Sequence, residues 1–287
     1  MSEFPRNSEV TKDGSGRSSE LAKRVISSLA LAALALFSAW YGGLVFALVW
    51  GLAALVVLRE WLAIIGLQSQ SLWSAFLIGA LGVGASIMLL FLPLPSALLA
   101  FAPSFVAGGA VMAIFAKGGF GRLWFLLGPL YAAAIVVGPL ALRGRATDGI
   151  VIIVWLFLVV WISDIGAYFT GRALGGPKLW PSVSPKKTWS GSIGGLVCGT
   201  AVPVAFVLAV RSLLGVGWLD GVPLILVTVS TVLVAEGGDL FESAMKRRFG
   251  VKDSGSIIPG HGGLMDRLDS YVAAALYLFL LSEILAI

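Results

Sequence analysis

The chain has 287 residues, 58% of them hydrophobic and 12% charged, about half the roughly 25% charge usual for soluble domains. With a mean hydropathy of +0.96 and repeated apolar runs, this excludes a soluble globular domain and predicts an all-α, polytopic integral membrane bundle. A net charge of +5 would suit nucleic-acid binding in a soluble protein, but here membrane topology and an anionic substrate account for the cations, and no nucleic acid is expected.

In chain order, residues 1–20 are polar and rich in Ser, Gly and charge, and read as a disordered cytoplasmic tail. Nine candidate spans follow, at roughly 24–40, 43–65, 73–92, 95–115, 123–141, 149–169, 192–214, 222–243 and 268–286. Residues 21–145 form an N-terminal set of transmembrane helices. Residues 146–287 form a C-terminal transmembrane region with two charged loops, 170–191 and 244–267, where the candidate catalytic residues below are concentrated. Tight reversals at Tyr41-Gly42-Gly43 and Pro93-Leu94-Pro95 use the residues expected there. Trp40, Trp61, Trp73, Trp180, Trp189 and Trp218 lie near span ends and read as interfacial anchors. Glu60, beside Arg59, reads as a local ion pair, and the lone Cys198 as a packing residue that excludes an intrachain disulfide.

With the N-terminus inside, 17 of the 20 basic residues fall on the cytoplasmic side and only Arg143, Arg145 and Arg211 outside. That bias favours an odd number of spans, with both charged loops facing the cytoplasm.

The loop before the last span carries the densest chemistry. From Ser243 to Asp269 the chain holds Lys246, Arg247, Arg248, Lys252 and Arg267, the aspartates Asp253, Asp266 and Asp269, and the only histidine, His261. Glycines such as Gly262 and Gly263 expose backbone N–H groups that can hold phosphate. Arg248 reads better as an anchor to lipid headgroups, and a purely structural His261 is the alternative to a ligand. Glu236, Asp239 and Glu242 recur at three-residue spacing just before the loop, as Asp266 and Asp269 do just after it. Antiparallel neighbours could bring Asp239 opposite Asp266 and Asp269, and few protein carboxylates suffice for Mg²⁺, which shares its shell with substrate and water. Helix capping is the alternative role for the last two. Asp164, inside an apolar span, is a functional candidate by position alone. Lys186 and Lys187 face the first cluster as ligands for a triphosphate.

These residues carry a resemblance. Ser243, Lys246-Arg247, Lys252-Asp253, Pro259-Gly260-His261-Gly262-Gly263 and Asp266-Arg267-Leu268-Asp269 match, without a gap, the signature of the CDP-diacylglycerol synthase (phosphatidate cytidylyltransferase) family. Asp164-Ile165-Gly166-Ala167-Tyr168 and Ser184-Pro185-Lys186-Lys187-Thr188-Trp189 are also similar to it. The chain departs at Ser190, where an acidic residue is common, and at Ser163, where Thr is common.

The resemblance implies transfer of CMP from CTP to phosphatidate, giving CDP-diacylglycerol and pyrophosphate. It implies catalytic roles for Asp239, Lys246, Arg247, His261, Asp266, Arg267 and Asp269, with Mg²⁺ on Asp239, Asp266 and Asp269 and a second, monovalent or divalent, cation as an option. Asp164, Ser184, Lys186, Lys187, Ser243, Lys252, Asp253, Gly262 and Gly263 are implied for substrate and phosphate binding. The partners implied are CTP, phosphatidate and the lipid bilayer, with a homodimer left as an open alternative to a monomer; the setting is the bacterial cytoplasmic (inner) membrane, with the site facing the cytoplasm. A CTP-dependent polyprenol or phytol kinase, and a lipid or ion transporter, are the rival readings.

Overall fold

The computed structural model describes residues 14–67, 69–93, 96–116, 121–145, 148–215, 223–260 and 262–285. Its helices are α1 (Gly14–Tyr41), α2 (Gly43–Ile64), α3 (Ser69–Leu89), α4 (Ala102–Phe115, entered through a 3-10 turn at Ala97–Phe101), α5 (Arg122–Arg143), α6 (Gly149–Leu174), α7 (Trp189–Leu214), α8 (Leu224–Arg248) and α9 (Met265–Leu285). Among the described residues, nine helices are long and apolar enough to cross a membrane. In hydrocarbon a helix satisfies its own backbone; Pro129 and Pro139 in α5 and Pro203 in α7 each give up one such bond, a loss that spanning helices tolerate through packed neighbours and local adjustment of the helix. The protein is a polytopic helical membrane protein.

Several expectations shift at the edges. Helix α1 begins at Gly14, inside the stretch read as tail. Helices α6 and α8 run on to Leu174 and Arg248, so both charged loops are shorter than expected. The first of them also holds a hairpin, β1 (Lys178–Trp180) paired antiparallel with β2 (Ser184–Thr188). Trp40, Trp73, Trp180 and Trp189 are exposed as anchors should be, but Trp61 is 1% exposed. Its indole N–H donates to the Trp124 carbonyl at 2.8 Å, and its ring packs on Tyr131 and Phe241. Trp218 lies outside the described residues.

The buried core runs through α2, α5, α6 and α9. Helix α7 joins it through small residues. Gly191, Gly195 and Gly199 recur every four residues and are buried on one face. A Cβ at Gly195 would stand 2.9 Å from the Ser163 carbonyl, and one at Gly199 2.7 Å from the Ser163 Cβ. Close backbone approach of this kind is how helices associate where lipid removes the hydrophobic drive. Cys198 fits the packing expectation, lying against Gly166.

The two charged loops share one end of the bundle with the start of α1. Ser27 of α1 donates to the Pro259 carbonyl at 3.4 Å, and Arg24 packs against Gly260. Opposite, the Arg143 guanidinium closes the end of α1, its Nε 2.6 Å from the Ala39 carbonyl.

Replacing Gly199 with Leu should cost about 2 kcal/mol of stability by overpacking the α6–α7 seam. A detergent melting curve reads this directly, with Gly84→Ala as a neutral control because a Cβ there meets nothing within 4 Å. Equal melting of Gly199→Leu and the parent would mean the seam is not held closed.

Candidate active site

Helices α6, α8 and α9 deliver carboxylates to the charged end of the bundle, and the hairpin delivers cations. On β2 successive side chains alternate sides: Lys186 is exposed, while Lys187 turns inward and pairs with Asp239 at 2.8 Å. Asp239 also accepts from Ser243, one turn along α8, at 3.3 Å. The Arg247 Nε reaches the Val183 carbonyl of the hairpin at 3.4 Å. The two charged loops are therefore neighbours.

Ser190, the departure from the family pattern, ties the hairpin down. Its hydroxyl donates to the Gly175 carbonyl, while Thr188 caps α7 by accepting from the Gly191 N–H at 3.1 Å. Ser163, the other departure, is buried and donates to Val160 within α6 at 2.9 Å.

Asp266 is enclosed by its own protein. One oxygen lies 2.5 Å from the Lys246 ammonium; the other accepts from the Gly263 N–H at 2.9 Å, the Ser254 N–H at 2.9 Å and the Ser254 hydroxyl at 3.0 Å. Reaching back to the N–H of Gly263, it behaves as a capping residue of α9. Its partner Lys246 also pairs with Glu242 at 3.1 Å.

The expected metal trio is accordingly divided. Asp239 and Asp269 stand near each other and near Asp164, with Lys187 and Arg267 in electrostatic range, whereas Asp266 is committed to the loop. Among the described residues no three His, Cys, Asp or Glu side chains converge as a ready cage. The donor set still suits a hard cation. Glu242 is buried, its Oε1 has no hydrogen-bond partner, and it adjoins the Asp269 carboxyl. Two carboxyl groups side by side in a buried setting call for a proton or a cation between them.

Gly263 works differently from expectation. The Gly263 N–H is spent on Asp266, and the Gly262 carbonyl accepts from the Ile258 N–H at 3.0 Å. Gly262 has φ +84, and a Cβ on it would come 2.9 Å from Asp266 Oδ2, so only glycine fits comfortably. Lys252, Asp253 and Arg267 are exposed, and Ser184 is paired with Trp180 within the hairpin. His261 lies outside the described residues.

Glu60 went unrecognised. Instead of pairing with Arg59, whose guanidinium lies 5.9 Å above the Trp73 ring, it is buried against the α8–α9 loop and accepts from the N–H groups of Leu264 and Met265. A lone carboxylate in an apolar span was the available signal, and the adjacent arginine masked it.

Beside Asp269 opens an apolar cleft of about 650 Å³ between α2, α5, α8 and α9. Trp61, Tyr131 and Phe241 form one wall; Gly237, where a Cβ would meet nothing, leaves room on another.

A model described as the cytidylyltransferase family matches residues 22–285. A phosphatidate cytidylyltransferase from Brucella suis biovar 1 (strain 1330) is 40% identical over 270 residues, 93% of this chain and 95% of that protein. One from Staphylococcus haemolyticus (strain JCSC1435) is 46% identical over 140 residues, 49% of this chain and 52% of that protein. Matched from its first span to its last, and carrying cations and carboxylates at one end of the bundle, this chain belongs to the cytidylyltransferase family.

Proposed function

We propose that the protein is a phosphatidate cytidylyltransferase, converting CTP and phosphatidate to CDP-diacylglycerol and pyrophosphate. The observation that carries this reading is the meeting of two environments at Asp269: a cluster of cations and carboxylates on one side, an apolar cleft on the other. A nucleotide needs the first and a diacylglycerol moiety the second.

In the reaction, an oxygen of the phosphatidate phosphate attacks the α-phosphorus of CTP. The bond from that phosphorus to its bridging oxygen breaks, and pyrophosphate leaves with the electron pair. The nucleophile is already anionic, so the protein's task is to bring two anions together and hold the charge that develops on the leaving group. Lys187 and Arg267 lie near the carboxylate cluster and are assigned to phosphate oxygens, with Lys186, Arg247 and Lys252 at the entrance. Lys187 would exchange its bond to Asp239 for one to substrate, releasing that carboxylate. Asp239 and Asp269 would hold Mg²⁺, with Asp164 as a further oxygen donor; a second, monovalent or divalent, cation suits the Glu242–Asp269 contact. Mg²⁺ held by Asp239 and Asp269 would supply charge neutralisation at the phosphates. Lys246 and Asp266 hold the loop in shape around them.

The site is assigned to the cytoplasmic face of a bacterial inner membrane, where soluble CTP meets a lipid whose tails stay in the bilayer. The exposed apolar faces of α1, α3 and α7 would meet lipid or, in a homodimer, a second copy.

Purified protein given CTP, Mg²⁺ and phosphatidate in detergent or lipid should release pyrophosphate and form CDP-diacylglycerol. Release of CDP with a phosphorylated lipid alcohol would instead identify a kinase, and no turnover across several divalent metals would overturn the assignment.

Asp239→Asn and Asp269→Asn should each lower kcat at least about 100-fold while melting near the parent, a loss in the range seen when an electrostatic group is removed from an active site. Asp266→Asn should lose activity and also about 2 kcal/mol of stability, because its amide NH₂ would face either the Lys246 ammonium or the Ser254 and Gly263 donors, leaving part of that set without an acceptor. Melting curves that fail to separate Asp266 from the other two would contradict this division of roles.

Lys187→Ala should raise KM for CTP about tenfold, the value of one charge-assisted hydrogen bond. An unchanged KM would remove Lys187 from the nucleotide site.

A further inference from the structure

We propose that Glu60, on α2, is the positioning residue that sets the α8–α9 loop for catalysis, an inference that rests on the cytidylyltransferase reading. Glu60 lies in the N-terminal half of the chain, about 200 positions from the residues it contacts. Its side chain is 4% exposed. Oε1 accepts from the Leu264 N–H at 3.0 Å; Oε2 accepts from the Met265 N–H at 2.8 Å and the Ser254 hydroxyl at 3.2 Å.

Those N–H groups belong to the start of α9, where a helix leaves its donors without partners of its own. Local capping by a Ser, Thr, Asp or Asn would fix only the helix. Here the Leu264 and Met265 donors are met by a carboxyl group from another helix, so the start of α9 is fixed relative to α2. Asp266 meets the donor just before them, on Gly263, and the Ser254 hydroxyl lies within reach of both carboxyl groups. From Asp266 the connection continues to Lys246 and Glu242 on α8. Asp269 stands on the same α9, three residues beyond Asp266. A shift of Glu60 therefore moves Asp269 relative to Asp239.

The glycines of the loop supply independent support. A Cβ at Gly255 or at Gly263 would come 2.7 Å from Oε1. Both positions lack a side chain where the carboxyl group enters. Neither glycine has a positive φ, so close approach rather than backbone conformation accounts for them.

The test uses Glu60→Gln and Glu60→Ala in the full-length protein. Gln nearly preserves shape but replaces one acceptor with a donor, so one of the two helix N–H groups loses its partner. Glu60→Gln should lower kcat about tenfold and Glu60→Ala about 100-fold, with KM for CTP changed less than threefold. A purely structural role would instead reduce the amount of active protein at unchanged kcat per folded molecule. A second readout does not depend on activity. A spin label on Cys replacing the exposed Ile257, in a Cys198→Ser background, should become more mobile in both variants, while a label at Leu208 on α7 does not change.

Parent-like kcat in Glu60→Gln together with an unchanged Ile257 label would overturn the proposal, and this pair of readings decides the matter even if Glu60→Ala fails to fold. If the parent itself lacks cytidylyltransferase activity, the label still reports whether Glu60 fixes the loop, so the two failures are distinguishable.

Discussion

The constraint on which this end of the molecule depends is the need to satisfy the start of α9 in a place largely closed to water. Three consecutive N–H groups, on Gly263, Leu264 and Met265, are met by two carboxyl groups, Asp266 from within and Glu60 from α2. A buried donor without an acceptor costs about 1–3 kcal/mol, so each group narrows where the loop can lie. Once those contacts are made, Asp266 can hold Lys246, and Lys246 can hold Glu242. A loop of small residues becomes a defined surface because its polar atoms have few alternatives.

Helix packing in the apolar region supplies the second constraint. The stripe of Gly191, Gly195 and Gly199 lets α7 lie directly on α6, and the hairpin between these helices inherits its position. Thr188 and Ser190 then fasten the hairpin's ends to the starting turn of α7 and to Gly175. Only after this does Lys187 reach Asp239 on α8. That pair is about 30% exposed on both sides, so it contributes little to stability. Its effect is to hold a cation of the hairpin against a carboxylate of α8 at the charged end of the bundle.

The spans and the concentration of charge at one end were legible in the sequence because both rest on composition: apolar runs long enough to cross a bilayer, and lysines and arginines sorted by side. The pairing of the two charged loops was legible too, from chain order. What spacing could not separate was ligand from scaffold. Asp239, Asp266 and Asp269 share helical spacing with their neighbours, yet Asp266 turns toward Ser254, Gly263 and Lys246. That choice depends on a fold in which backbone N–H groups converge on it, which no local pattern reveals. Glu60 was hidden for the opposite reason. Its partners lie about 200 positions away, and Arg59 offered a nearer explanation that the geometry does not use. Trp61 followed the same logic: near a span end it read as an anchor, but its N–H finds the Trp124 carbonyl and its ring fills the core.

The glycines draw these points together. In a phosphate-binding loop, glycine is usually explained by what it offers outward: exposed N–H groups and room for a ligand. Here the Gly263 N–H points inward to Asp266, and the missing Cβ admits the Glu60 carboxyl. Gly238 on α8 behaves similarly, since a Cβ there would stand 2.7 Å from the Asp269 carbonyl. Its neighbour Gly237 faces the apolar cleft and leaves it open. One pair of glycines thus does two things at the same turn: one draws α8 against α9 at Asp269, and the other preserves the space beside it. The polar and apolar halves of the site meet at Asp269 because α8 has no side chain on either of those faces.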